Sequence, residues 1–190
     1  MMNGKIKKRA LTRDYLVRAT YNYLQRFATT ERNLRKVLDR KVRRRLEEGD
    51  AAEKYAEAMV WIEDIVQKAI QQNLVNDRSF AEARGASLIR SGTSKMMASQ
   101  KLLIKGVAPD LVAEIMESLS EQHEDLDVLS ALKYVRKRRF GAFSRRHDGT
   151  EVVEKELASM CRAGFSYPLG RRILKMSQEE AEEVLYDTRI

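Results

Sequence analysis

"YNYLQRFATTERNLRKVL", residues 21–38, returns twice further along the chain, as "GASLIRSGTSKMMASQKL" at 85–102 and "LASMCRAGFSYPLGRRIL" at 157–174. In register, Arg26 meets Arg90 and Arg162, and Thr30 meets Ser94 and Ser166. Leu38 meets Leu102 and Leu174, while Arg35 and Lys36 meet Arg171 and Arg172 in the last copy. The shared hydroxyl sits where a helix N-cap belongs, accepting from the backbone three residues on. Each copy therefore reads as the end of one helix, a short turn and the start of a capped second helix. Repetition of this kind means one supersecondary unit used several times.

Around these copies the chain extends the same pattern. Thr12 can cap a first helix carrying Asp14 in its opening turn. Tyr15, Leu16, Ala19, Tyr23, Leu24 and Phe27 follow at three- and four-residue steps along one face. After Thr30 a second helix turns Leu34, Val37, Leu38 and Val42 inward, and Gly49 closes it. A long third helix occupies about 51–73. The second cycle opens at Asp77 or Ser79, restarts at Ser94 and stops at Gly106, a residue suited to a left-handed helix end. Pro109 begins its third helix. An extra helix at about 126–139 runs into the basic connector "RKRRFGAFSRRHDG". The third cycle follows, with Ser166 and Ser177 as caps and Glu180 completing a capping box with Ser177.

The expected fold is all-α: an elongated array of three tandem three-helix repeats, with a connecting helix between the second and third. The boundaries are a basic tail at 1–11, repeats at 12–73, 74–125 and 150–190, and the connector at 126–149. Units this small bury little core alone and gain by stacking on neighbours.

Composition agrees. Of 190 residues, 43% are hydrophobic, 34% charged and only 7% aromatic, with two prolines. Net charge is +8 and unevenly spread. Residues 1–46 hold 15 basic and 3 acidic side chains, and 133–146 hold seven basic and none acidic, whereas 107–128 hold seven acidic and no Lys or Arg. Opposed faces of this kind suit a polyanion or an electrostatically patterned protein. The longest apolar run, "AMVWI" at 58–62, is far below the ~20 residues that span a bilayer. The start lacks the apolar core of a signal peptide, and the lone Cys161 forms no internal disulfide, so a cytoplasmic protein is expected.

Enzymatic chemistry finds no support. His123 and His147 have no partner at metal-ligand spacing, Cys161 is expected as a buried, inert thiol, and both phosphate-loop signatures are absent. A non-enzyme without cofactor or metal is expected. One alternative is a DNA-binding regulator of helix-turn-helix type, using Arg32 or Asn33 on base edges. The copies "TERNLRK", "SKMMASQK" and "SYPLGRR" share no reading position, however, which suits phosphate tracking that is salt-sensitive and weakly selective. A helical protein-interaction adaptor is a second alternative.

Four stretches, "YLQRFATTERNLRKVLDRKV", "NLVNDRSFAEARGASLIRSGTSKMMASQKLLIKGV", "LKYVRKRRFGAF" and "LASMCRAGFSYPLGRRIL", resemble in order those of the RecX family, regulators of the RecA recombinase, over about 12–176. Asp77, Phe80, Ala81 and the turn Arg90–Ser94 carry the likeness most specifically. Thr30, Asn33 and Asn76 depart from the family's usual Ser, Glu and acid. The resemblance implies a curved helical array in the groove of the RecA–DNA filament. There it would inhibit RecA ATP hydrolysis, strand exchange and filament growth without catalysis of its own. A monomer with weak, non-specific affinity for single- and double-stranded DNA, and none for membranes, is expected. Candidate filament contacts are Arg26, Arg35, Lys36, Arg43 and Arg44 in the first unit. They continue with Arg136, Lys137, Arg138, Arg139, Arg145 and Arg146 in the connector, and Arg162, Arg171 and Arg172 in the last unit. Some of these are expected to pair with acidic third helices, and Arg26, Arg90 and Arg162 to serve either the repeat fold or the interface.

Overall fold

A computed structural model describes residues 10–46, 51–121, 126–144 and 150–187. These form ten α-helices and one 3₁₀ turn, with no strand among the described residues. The helices are α1 (Arg13–Leu24), α2 (Glu31–Arg43), α3 (Ala51–Gln71), α4 (Asp77–Arg90) and α5 (Lys95–Lys105). They continue with α6 (Pro109–Glu121), α7 (Leu126–Arg138), α8 (Thr150–Arg162), α9 (Tyr167–Lys175) and α10 (Gln178–Asp187), with the 3₁₀ turn at Gly141–Phe143 between α7 and α8. The chain divides into two compact units, Met1–Phe80 and Ala81–Ile190.

Helix starts follow local chemistry. Thr12, Thr30, Ser94 and Ser166 each accept the backbone N–H three residues on, from Tyr15, Asn33, Met97 and Leu169. Ser177 and Glu180 exchange bonds reciprocally, at 2.8 and 3.1 Å. At α4 the cap is Asn76, whose side chain accepts from Ser79 N–H at 3.0 Å, and neither Asp77 nor Ser79 plays that part. Asp77 is committed elsewhere: it accepts the first N–H of α2, that of Glu31, at 2.8 Å. Asp127 does the same for Lys95 N–H, the first of α5, at 3.1 Å. Thus α2 and α5 are each capped twice, by the preceding hydroxyl and by an aspartate from a later helix. An orphan donor at a helix start is costly to leave unpaired, so these bonds fix where the later segment begins.

Helix ends use one device five times. Asn73, Gly92, Gly106, Arg139 and Gly164 all have positive φ, and the residue after each donates back five positions to a carbonyl. Glycine or asparagine accepts that backbone readily; arginine does so with strain.

In the first unit α1, α2 and α3 pack around Leu16, Leu34, Leu38, Val42, Ile62 and Val66, all of them sealed from solvent. Phe27, expected along the inward face of α1, is instead half exposed, because the chain turns away after Leu24. In the second unit the helix read as a connector is central. Alpha 7 buries Leu126, Val128, Leu129, Ser130, Ala131, Leu132 and Val135 and packs with α9 and α10. Met160 of α8, Phe165, Ile173 of α9 and Ala181 of α10 complete that core. The buried carboxylate of Glu156 accepts Gly141 N–H at 2.8 Å and anchors the 3₁₀ turn, with Phe140 and Phe143 packed on the core.

Ser130 is fully buried and its Oγ has no hydrogen-bond partner among the described residues. A desolvated, unpaired hydroxyl is a net cost, so Ser130→Ala is expected to raise stability by about 1 kcal/mol. Urea melts of the two proteins check this; a less stable alanine variant would refute it.

Candidate functional site

The sequence nominates cations, and the structure sorts them by what their charge already meets. Arg35 on α2 is held on both sides. Its Nε and Nη2 donate to the Glu63 carboxylate of α3, each at 2.8 Å, and Nη1 pairs with Glu31 one turn back. Arg43 pairs with Asp39 at 2.9 Å, donates to Tyr55 Oη at 2.6 Å and lies over that ring. These two tie α2 to α3, and Arg35 answers the expectation that some arginines would pair with an acidic third helix. Lys36 and Arg44 are exposed. Arg26 is also exposed and sits 5.5 Å from the Phe27 ring centre.

The Arg35–Glu63 pair has a pH consequence. The arginine's hydrogen bonds pull the Glu63 carboxyl from 4.5 down to about 2 and raise the guanidinium in turn. A carboxylate depressed on folding contributes stability that is full above its unfolded value and fades as pH falls through its folded one. The pair is about half open to water at Glu63, so its worth is below ~1 kcal/mol. Glu63→Gln is expected to melt lower than wild type at pH 7, with the gap closing between pH 4.5 and about 2. A gap independent of pH would refute the pairing as its cause.

In the second unit, Arg136, Lys137, Arg138 and Arg139 close α7 as an exposed ridge. Lys137 and Arg138 join Lys101 of α5 along a groove of about 560 Å³, walled by Leu88, Ser91, Thr93, Met97 and Tyr134. Arg138 lies 5.6 Å from the Tyr134 ring centre. Lys133, one turn earlier, has its ammonium pushed below its ordinary value, by burial first and then by Arg136 and Arg90. Desolvation and the two neighbouring guanidinium charges act in the same direction there, each disfavouring the charged ammonium. Arg162, Arg171 and Arg172 are exposed on α8 and α9 and do not line this groove. Arg145 and Arg146 lie outside the described residues, as do Gly49, His123 and His147.

Sequence reasoning missed Lys101 and Lys133, and in the first unit Arg18, Lys41 and Arg45, which line a second groove with Arg26. Three-residue spacing from Lys133 to Arg136 was the available signal. The other additions are tertiary meetings without one. Asn33, a candidate base reader, is already engaged: its amide donates to Tyr23 Oη at 3.1 Å and Thr29 Oγ1 at 2.7 Å. Cys161, expected to be buried, is exposed, since Leu157 and Met160 take the inner face of α8. Among the described residues no three His, Cys, Asp or Glu side chains gather as a metal site, and no helix is long and apolar enough to cross a membrane.

No family model matches the chain. It is 33% identical over 173 residues to regulatory protein RecX of Myxococcus xanthus, covering 90% of each chain. With regulatory protein RecX of Agrobacterium fabrum it shares 34% identity over 164 residues, 86% of this chain and 84% of that one. The fold is similar to the crystal structure of RecX from Lactobacillus salivarius, at 19% identity and a TM-score of 0.58, over 90% of this chain and 97% of that one. On the strength of these two likenesses, the chain belongs to the RecX family of regulatory proteins.

Proposed function

We propose that the protein is a non-catalytic regulator that seats on the RecA–DNA filament and slows RecA ATP hydrolysis, strand exchange and filament growth. Membership of a family of regulatory proteins supports a regulatory role. The observation that carries the contact surface is the ridge ending α7. Arg139 occupies the left-handed position that Gly92, Gly106 and Gly164 fill at other helix ends. A non-glycine residue there costs about 1–2 kcal/mol. Strain retained at an exposed cation, beside Arg136, Lys137 and Arg138, supports a role for that side chain outside the fold.

Three copies of one three-helix unit would present cations at intervals, and linked modest contacts along a polymer add to high avidity. The matching caps at Thr30, Ser94 and Ser166, and the matching aspartate bonds of Asp77 and Asp127, support such repetition. Bridging adjacent filament subunits would restrain motion between them.

The test is a titration of the protein into RecA, single-stranded DNA and ATP, following phosphate release and filament length. Falling hydrolysis and shorter or frozen filaments are expected. Unchanged hydrolysis and length over the full titration would remove the reading.

A further inference from the structure

The groove of the first unit differs in kind from that of the second. Its wall is built from one face of α1 and from α2 beyond it, and it encloses about 630 Å³, within the ~300–1,000 Å³ of typical ligand sites. Four cations line it, Arg18, Arg26, Lys41 and Arg45, and among the described residues no carboxylate does. Between them stand three rings. Tyr15 carries Arg45 at 3.5 Å from its centre, and Arg45 is further tied to the Ala10 carbonyl at 3.2 Å. Tyr23 is held through its hydroxyl by Asn33 and stands 5.3 Å from Phe27, tilted 41°. Phe27 itself remains half exposed beyond the end of α1.

We propose that this groove is a base-stacking site for single-stranded nucleic acid, with Phe27 as the exposed platform and Arg18, Arg26 and Lys41 on the phosphates. Two features favour this ligand. A cationic trough with no acid attracts any polyanion, yet only one with accessible base faces uses a ring. A duplex keeps its base faces stacked against each other and offers only phosphates and groove edges to a surface of this shape. An acidic peptide would satisfy the cations but gain nothing specific from Phe27. Two of the rings are engaged before anything binds, Tyr23 by Asn33 and Tyr15 by Arg45, while Phe27 rests against Tyr23 and has Arg26 5.5 Å from its centre. The inference deepens the filament reading by naming what the first unit touches, and it can be tested without RecA.

The full chain is titrated, at one fixed salt concentration, into labelled oligothymidylate of about 16 nucleotides, into an abasic strand of equal length and charge, and into a duplex. Oligothymidylate is expected to bind about tenfold tighter than the abasic strand, one stacked base being enough for that ratio. Phe27→Ala should abolish most of the preference while leaving abasic binding in place. Phe27→Leu, which keeps apolar bulk without a π face, should behave alike and covers the case of an unfolded alanine variant. Lys41→Ala should weaken both strands equally and reduce the salt dependence by about one phosphate contact. Equal affinity for thymidylate and abasic strands, or full preference in both Phe27 variants, overturns the proposal. A protein that restrains RecA yet shows no such preference defeats this site alone; preference without any effect on RecA defeats the filament reading alone.

Discussion

Gly92→Ala is expected to cost the second unit about 3–4 kcal/mol, and to lower its melting midpoint by roughly 10 °C or more. Two penalties coincide at this position. The backbone holds φ at +82°, where a side chain costs about 1–2 kcal/mol by itself. A Cβ would also stand 2.9 Å from the backbone nitrogen of Tyr134 and 3.1 Å from Lys133 Cβ. The obstacle is the body of α7, the buried centre of that unit, so it has no soft direction in which to yield. Gly85→Ala is the control. Its Cβ would meet the flexible tip of Met116 at 3.0 Å, and it sits inside α4, where alanine is the better helix former. That variant should stay within about 1 kcal/mol of wild type. Thermal melts in which the two variants behave alike would show that the turn at Gly92 is not held as described.

On the proposed filament-binding function, reversing two charges, Lys137→Glu with Arg138→Glu, is expected to raise the concentration needed to inhibit RecA by about 30-fold or more, the equivalent of roughly 2 kcal/mol. Both side chains are exposed at the end of α7, so the fold loses the contact of Arg138 with Tyr134, worth about 0.5–1 kcal/mol, and a helix-dipole contribution of similar size at the end of α7. The salt dependence of inhibition should flatten, because two cations stop displacing counterions and two new anions repel phosphate. Arg35→Ala supplies the contrast. Its guanidinium already meets Glu63 and Glu31, so inhibition should hardly change while stability drops slightly. Full potency in the reversed protein, measured by phosphate release, would move the contact surface off this ridge.

The sequence showed its punctuation well and its pairings poorly. A hydroxyl three residues before a backbone donor is a local feature, and Thr12, Thr30, Ser94, Ser166 and Ser177 all cap as their spacing implies. Gly106 ends its helix for an equally local reason. Which arginine is open to a ligand depends instead on groups far along the chain. In sequence Arg35 is indistinguishable from Lys36, yet it is bonded to Glu63, 28 residues away. Cys161 failed for a different reason. On a short helix the apolar stripe is blurred by a single position, and Leu157 with Met160 sets it one step short of the thiol. The segment read as a connector misled through its basic end. Its first ten residues, "LDVLSALKYV", are apolar on most sides, which is the mark of a helix sunk in a core.

Asp77 belongs by position to α4 but by its bond to α2, and it falls within the first compact unit. Anyone dissecting this chain into fragments should therefore cut after that aspartate. A first fragment ending at Leu74 would lose the acceptor for Glu31 N–H and fray α2 from its start, whereas one carried through Phe80 keeps its own lock. The boundary of the first compact unit, after Phe80, thus lies seven residues beyond the one expected after residue 73.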